Sequence, residues 1–239
     1  MSTGLPHESY QTSGLPDTTA SSAQGLVDFV TNRWQVLVGV LVAVTVIVGG
    51  YFFYQSQQQE LNIEGLTQLS RIRTTYDMGA YDQALTGKGV PPMGTEPVKG
   101  LVAISDEYEG TPAGQQAALM AGNAYVNLGK AADAEAQFVR ASESSSQLVQ
   151  VGAKQGLAAT RELEKKFAEA GALYEEAAAL ADKTGLEDNI LYRAALCYEE
   201  AKNTAKATEL YRLVVKKFEM SEIAASAKAG LARLGTAID

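Results

Sequence analysis

The sequence predicts an all-α protein in which a single N-terminal transmembrane helix is followed by an α-solenoid of paired helices. Three observations lead there. Val36 to Tyr54 is a run of 19 residues without a charge. Beyond it, apolar residues recur at helical rather than strand spacing. From Gly114 onward, a pattern of small and aromatic residues returns twice, with second-helix alanines at 134, 170 and 207.

The uncharged run comes first. At a rise of about 1.5 Å per residue it spans roughly 28 Å, close to the hydrocarbon thickness of a bilayer. Trp34 marks one end, and Tyr51 and Tyr54 the other, where amphipathic aromatics favour the membrane–water boundary. Thr45 is the strongly polar residue inside, and its hydroxyl can bond a carbonyl one turn back. A buried core helix and a cleaved signal peptide are the rival readings. Charge-free runs of this length read as spans. A signal's apolar core is about 7–15 residues before a small-x-small site, whereas this run continues into Tyr51-Phe52-Phe53-Tyr54-Gln55 with no cysteine for lipid attachment. A permanent anchor over 34–54 is therefore expected. Arg33 abuts its N-terminal end, and the next basic residues are Arg71 and Arg73. The positive-inside rule then places the segment 1–33 in the cytoplasm and the segment 55–239 outside it.

Composition narrows the function classes. Of 20 basic and 28 acidic residues, Arg33 and the acids Glu8, Asp17 and Asp28 precede residue 55, leaving 19 and 25 beyond it. A net charge of −8 makes nucleic acid and anionic lipid poor partners. Cys197 is the one cysteine and His7 the one histidine, so no internal disulfide and no ordinary transition-metal site is expected.

In chain order, residues 1–24 are rich in Ser, Thr, Gly and Gln and predict a disordered tail. Residues 25–33, with Leu26, Val27, Phe29 and Val30, predict a short amphipathic helix at the membrane surface. After the anchor, Leu61, Leu66, Leu69, Ile72 and Tyr76 keep a helical period. A short helix follows from Ala80, then a breaker-rich loop, GKGVPPMGTEP. A helix over Val98 to Tyr108 comes next, then one opened by Thr111 as N-cap with Pro112 at its first position. The partition is thus a linker and degenerate first repeat over 55–113, three repeats over 114–220, and a C-terminal capping helix over 221–239.

The repeats carry a resemblance. Gly122, Tyr125, Ala134, Phe138 and Ala141 are matched by Ala158, Arg161, Ala170, Tyr174 and Ala177, and again by Ala195, Tyr198, Ala207, Tyr211 and Val214. Antiparallel helices approach closely where small residues meet, and large ones fill the groove beside them. The alternation resembles the tetratricopeptide repeat, with Arg161 where an aromatic is usual. The order VDFVTNR, an anchor ending GGYFFY, the turn GAYDQAL, and GLVAISDEYEGTPAGQQAALMAGNAYVNLGKAADA is similar to the ancillary Sec-translocon subunit (YfgM-type) family. That resemblance implies a bacterial inner-membrane protein with a cytoplasmic N-terminus and a periplasmic repeat domain. It also implies, as partners, Sec subunits, a membrane-anchored periplasmic chaperone of the prolyl-isomerase class, and exported clients.

No nucleophile–base pair can be assembled from one His and one distant Cys, and no phosphate loop is present, so no enzyme, cofactor or metal is expected. Cys197 is expected to pack in the core. Asp106-Glu107 and Glu175-Glu176 are expected on solvated faces. What remains is a surface. By repeat register, Leu119, Asn123, Val126 and Asn127 would line a groove from one unit. Gln155, Ala159 and Glu162 would follow from the next, and Tyr192, Leu196 and Glu199 from the third. Apolar and amide groups together suit an extended peptide or a partner's helix; the same groove can instead pack the chain's own C-terminal helix. Leu119 stands where a carboxylate-gripping relative needs lysine, which excludes that clamp. Two functions are expected: a membrane-anchored scaffold beside the Sec machinery, or a structural accessory subunit of another inner-membrane complex, respiratory or photosynthetic, with Gly39-x3-Ala43 packing on partner helices.

Overall fold

The computed structural model describes residues 34–92 and 96–236. The expected tail of 1–24, the surface helix of 25–33 with Arg33, and the end of the expected capping helix, 237–239, lie outside the described residues. The described residues form helices and turns, with no strand among them. In chain order the helices are α1 (Trp34–Asp77), α2 (Tyr81–Thr86), α3 (Leu101–Glu107), α4 (Pro112–Asn127), α5 (Ala131–Ser142), α6 (Gln147–Leu163), α7 (Phe167–Leu180), α8 (Glu187–Glu200), α9 (Thr204–Lys217) and α10 (Glu222–Arg233). The chain divides into two compact units, residues 1–55 and residues 56–239.

The first unit holds the uncharged part of α1, one candidate membrane-spanning segment near the N-terminus. Val36, Leu41, Ile47 and Phe53 are exposed there. The Thr45 hydroxyl donates to the Leu41 carbonyl at 2.8 Å, which satisfies the polar group within its own helix. Neither Gly49-Gly50 nor residue 54 ends the helix, and α1 is continuous to Asp77.

In the second unit, the final turns of α1 bury Gly65, Gln68, Leu69 and Ile72, at helical steps on one stripe. Ile63 and Leu66 are exposed. A Cβ on Gly65 would lie 2.8 Å from the Ala113 Cβ and 3.0 Å from the Tyr108 ring, so only glycine lets these elements meet. Asn62 Oδ1 accepts from the Ala113 amide at 2.9 Å, taking up one of the donors left free at the start of α4. Leu69, Ile72, Ala84, Leu101, Ile104 and Tyr108 form one core cluster with the alanines of α4. A second runs through α6 to α10 around Tyr174 and Tyr211. From α2 onward each helix packs on the next, and α4 also meets α6, as α8 meets α10.

Four turns share one geometry. Gly79, Gly129, Lys165 and Lys202 have φ of 77°, 71°, 59° and 61°, and each stands two positions before a helix. The amide of the following residue reaches back five positions: Ala80 to Thr75 at 3.2 Å, Lys130 to Tyr125 at 2.9 Å, Lys166 to Arg161 at 2.8 Å and Asn203 to Tyr198 at 2.9 Å. This is the Schellman ending, which favours glycine because a Cβ strains the left-handed backbone. Lysine at two of the four sites carries that strain. Lys165→Gly and Lys202→Gly are each expected to raise the unfolding free energy by roughly 1 kcal/mol, read as a higher urea midpoint at unchanged slope.

Thr111 Oγ1 accepts from the Gly114 amide at 3.1 Å, with Pro112 at the first helical position. The helix expected from Val98 begins only at Leu101, capped by Gly100 in extended conformation. A side chain on Gly100 would overlap the Leu85 carbonyl, and one on Gly87 would overlap the Val98 carbonyl. The connection between α2 and α3 is therefore pinched to a neck at its base.

Candidate functional site

The first helix of each predicted repeat unit, α4, α6 and α8, carries the residues expected to line a groove. Leu119 is half-buried, and a Cβ on Gly152 of α6 would touch it at 3.1 Å. Asn123 is half-buried. Asn127 is exposed, and its Nδ2 donates to the Asn123 carbonyl at 2.8 Å. Val126, Gln155 and Ala159 are half-buried. Tyr192 and Leu196 pack against the second core cluster, and the Tyr192 ring lies tilted on Tyr211 at 5.8 Å.

Glu162 and Glu199 hold internal partners. Glu162 accepts from the Tyr174 hydroxyl at 2.5 Å and from Arg193 at 3.2 Å. Glu199 accepts from the Tyr211 hydroxyl at 2.6 Å and from Arg233 at 3.1 and 2.9 Å. Tyr174 and Tyr211 are fully buried. The glutamate stands three positions before the left-handed turn residue and the tyrosine nine after it. An arginine two helices further on, from α8 or α10, closes the set from outside. At these two positions the preceding pair carries Val126 and Phe138, so the hydroxyl is absent where the carboxylate is absent. A buried phenol without an acceptor would be costly, and the substitutions keep step. The last helix thus engages Glu199 directly through Arg233.

These contacts set the charges. Hydrogen bonding to Arg233 holds the Glu199 carboxyl below the usual range against a smaller opposing effect of burial. Burial, then Glu199, raises the Tyr211 hydroxyl; burial, then Glu162, raises that of Tyr174. A carboxyl depressed in the folded state stabilises above its unfolded pKa of about 4.3, and that stability is lost as pH falls through the folded value. Glu199→Gln is expected to flatten the acid limb of a stability–pH curve between about pH 5 and 2, measured by urea unfolding at each pH.

Arg161 occupies a position where the sequence pattern calls for an aromatic. It makes a two-pronged pair with Glu135 of α5 at 2.9 and 2.6 Å and a further contact with Glu164 at 3.1 Å. The equivalent place on α7 is Gly171, where a Cβ would meet the Tyr198 ring at 2.9 Å. An ion pair in one layer thus replaces a ring on glycine in the next. Sequence reasoning missed both arrangements, although Glu135 with Arg161 and Gly171 with Tyr198 stand at matched positions.

The two carboxylate pairs expected on solvated faces are also engaged. Asp106 pairs with Arg140 at 2.5 Å and Glu107 with Lys99 at 2.7 Å. Glu175 takes the Tyr198 hydroxyl at 2.7 Å and Lys206 at 2.9 Å, and Glu176 pairs with Lys154 at 2.8 Å. Cys197 is buried, and burial, with nearby Glu162 a smaller cause, pushes its thiol up to about 12. Among the described residues no group of three or more His, Cys, Asp or Glu side chains is placed to hold a metal.

No protein-family model matches the chain, and no curated protein is significantly similar to it.

Proposed function

We propose that the chain is a membrane-anchored scaffold of tetratricopeptide-like repeats, arranged as an α-solenoid, that works by binding other proteins. The observation that carries this reading is the common register of the helix pairs. The left-handed turn residues at 129, 165 and 202 are 36 and 37 apart. At fixed offsets from them stand the buried Ala134, Ala170 and Ala207 and the buried Phe138, Tyr174 and Tyr211. Equal spacing of this kind is how stacked helix pairs build an extended binding face. That face is lined by Leu119, Asn123, Val126 and Asn127, and continues through Gln155 and Ala159 toward Tyr192 and Leu196. Glu162, through Oε1, and Glu199, through both oxygens, also tie the face to the helices behind it.

The anchor fits a bacterial inner membrane, with the N-terminus cytoplasmic and the repeats periplasmic. The favoured role is an ancillary Sec-translocon subunit that assists exported proteins or docks a periplasmic prolyl-isomerase-class chaperone. Its support is the resemblance over residues 100–125 together with the single apolar segment. Photocrosslinkers at Leu119, Val126 and Ala159 in the full-length protein test it. Adducts with Sec subunits, the chaperone or nascent exported chains support the reading. Adducts confined to respiratory or photosynthetic subunits would replace it with the accessory-subunit role. Protease added from the cytosolic side that digested the chain beyond position 55 would overturn the compartment.

A further inference from the structure

We propose that residues 88–100 are an insertion within the second helix of a complete first helix pair, so that α2 and α3 are two halves of one helix. The inference rests on the repeat reading above and extends it from three pairs and a degenerate one to four.

Spacing is the first argument. The turn residues Gly79 and Gly129 are 50 apart, against 36 and 37 for the later intervals. Leaving out positions 88 to 100 brings the first interval to 37 as well. Length is the second. α2 has 6 residues and α3 has 7, matching in total the 12, 14 and 14 of α5, α7 and α9.

Burial is the third and most discriminating. Counted from the turn residue, the later second helices bury positions at offsets of 5, 9 and 12: Ala134, Phe138 and Ala141, then Ala170, Tyr174 and Ala177, then Ala207, Tyr211 and Val214. With 88–100 left out, the first pair places Ala84, Leu101 and Ile104 at those offsets, and all three are fully buried. Leu85, Ser105 and Tyr108 then align with the buried Gly171 and Ala178 of α7 and with Ala181 at its end.

Backbone geometry is the fourth. The chain at Gly87 and at Gly100 runs too close for any Cβ, so the connection leaves and re-enters the helix at one place. Both halves pack on α4, as α5 packs on α6 and α7 on α8. The inserted stretch adds Val98, and the partly buried Val90, to the first core cluster from outside the register of the pairs.

The test is a set of deletions in the full-length protein in detergent. The in-register variant removes Lys88–Gly100 and carries Gly87→Ala, so that the backbone can continue as helix. Two controls miss the register by one position. The first removes 88–99 and carries Gly87→Ala and Gly100→Ala; the second removes 87–100. An error of one residue rotates α3 by about 100° and turns Leu101, Ile104 and Tyr108 off the core. The in-register deletion is expected to keep a cooperative transition with Tm within about 5 °C of the parent, and both controls to fall well below it. Loss of folding in the in-register variant, or equal Tm in all three, would overturn the insertion. Unfolding needs no partner, so this result stands apart from the crosslinking result that decides the scaffold role.

Discussion

Gly156→Ala is expected to lower the unfolding free energy by roughly 2–3 kcal/mol, and Gly156→Leu to prevent native packing of α5 against α6. Phe138 of α5 is fully buried and lies between two glycines. A Cβ on Gly122 of α4 would stand 2.6 Å from its ring, and one on Gly156 of α6 would overlap the ring outright. The ring has no free side to move toward, because Ala134 and Ala141 on its own helix are buried as well. For a domain of this size the alanine variant corresponds to a fall of about 4–10 °C in Tm. The second-site change Phe138→Leu should recover part of the loss by vacating ring volume. A Gly156→Ala protein within about 0.5 kcal/mol of the parent in urea unfolding would disprove this packing.

The second large effect belongs to Glu199. Glu199→Val strands the buried Tyr211 hydroxyl and removes the carboxylate facing Arg233, and is expected to cost about 2–4 kcal/mol. Tyr211→Phe alone should cost roughly 1 kcal/mol. The double variant reproduces the pair that the chain already uses at Val126 and Phe138. It is expected to be more stable than the sum of the singles by about 1–3 kcal/mol. Arg233 is half-exposed in this setting and can return to water. A double-mutant cycle by urea denaturation reads the coupling, and simple additivity would show that the phenol and the carboxylate act independently.

What the sequence revealed depended on whether one residue type was enough. The uncharged run from Val36 and the Thr111-Pro112 helix start are local signals: the first lies within a helix long and apolar enough to cross a membrane, and the second caps a helix as read. The buried alanines at 134, 170 and 207 were legible because they recur. Four features were not. The continuity of α1 through Gly49-Gly50 and on to Asp77 was hidden because the uncharged run, which ends at Tyr54, set the expected boundary. The division of a helix into α2 and α3 was hidden because an insertion breaks the spacing by which repeats are found. The groove residues Glu162 and Glu199 were placed by register alone, and register does not say that a tyrosine nine positions past the turn will claim the carboxylate. Arg161 looked like a departure only because its partner Glu135 sits on another helix.

Cys197 gives the fold its own clock. The chain has a single sulfhydryl, 5 % exposed on α8 and shielded from forming the thiolate that alkylating reagents attack. A maleimide should leave the native protein unmodified and mark each molecule once when α8 detaches from α7 and α9. The labelling rate over a range of temperatures would then time that detachment with no engineered tag. Ligands that grip α8 would slow it, and the Glu199→Val change would hasten it.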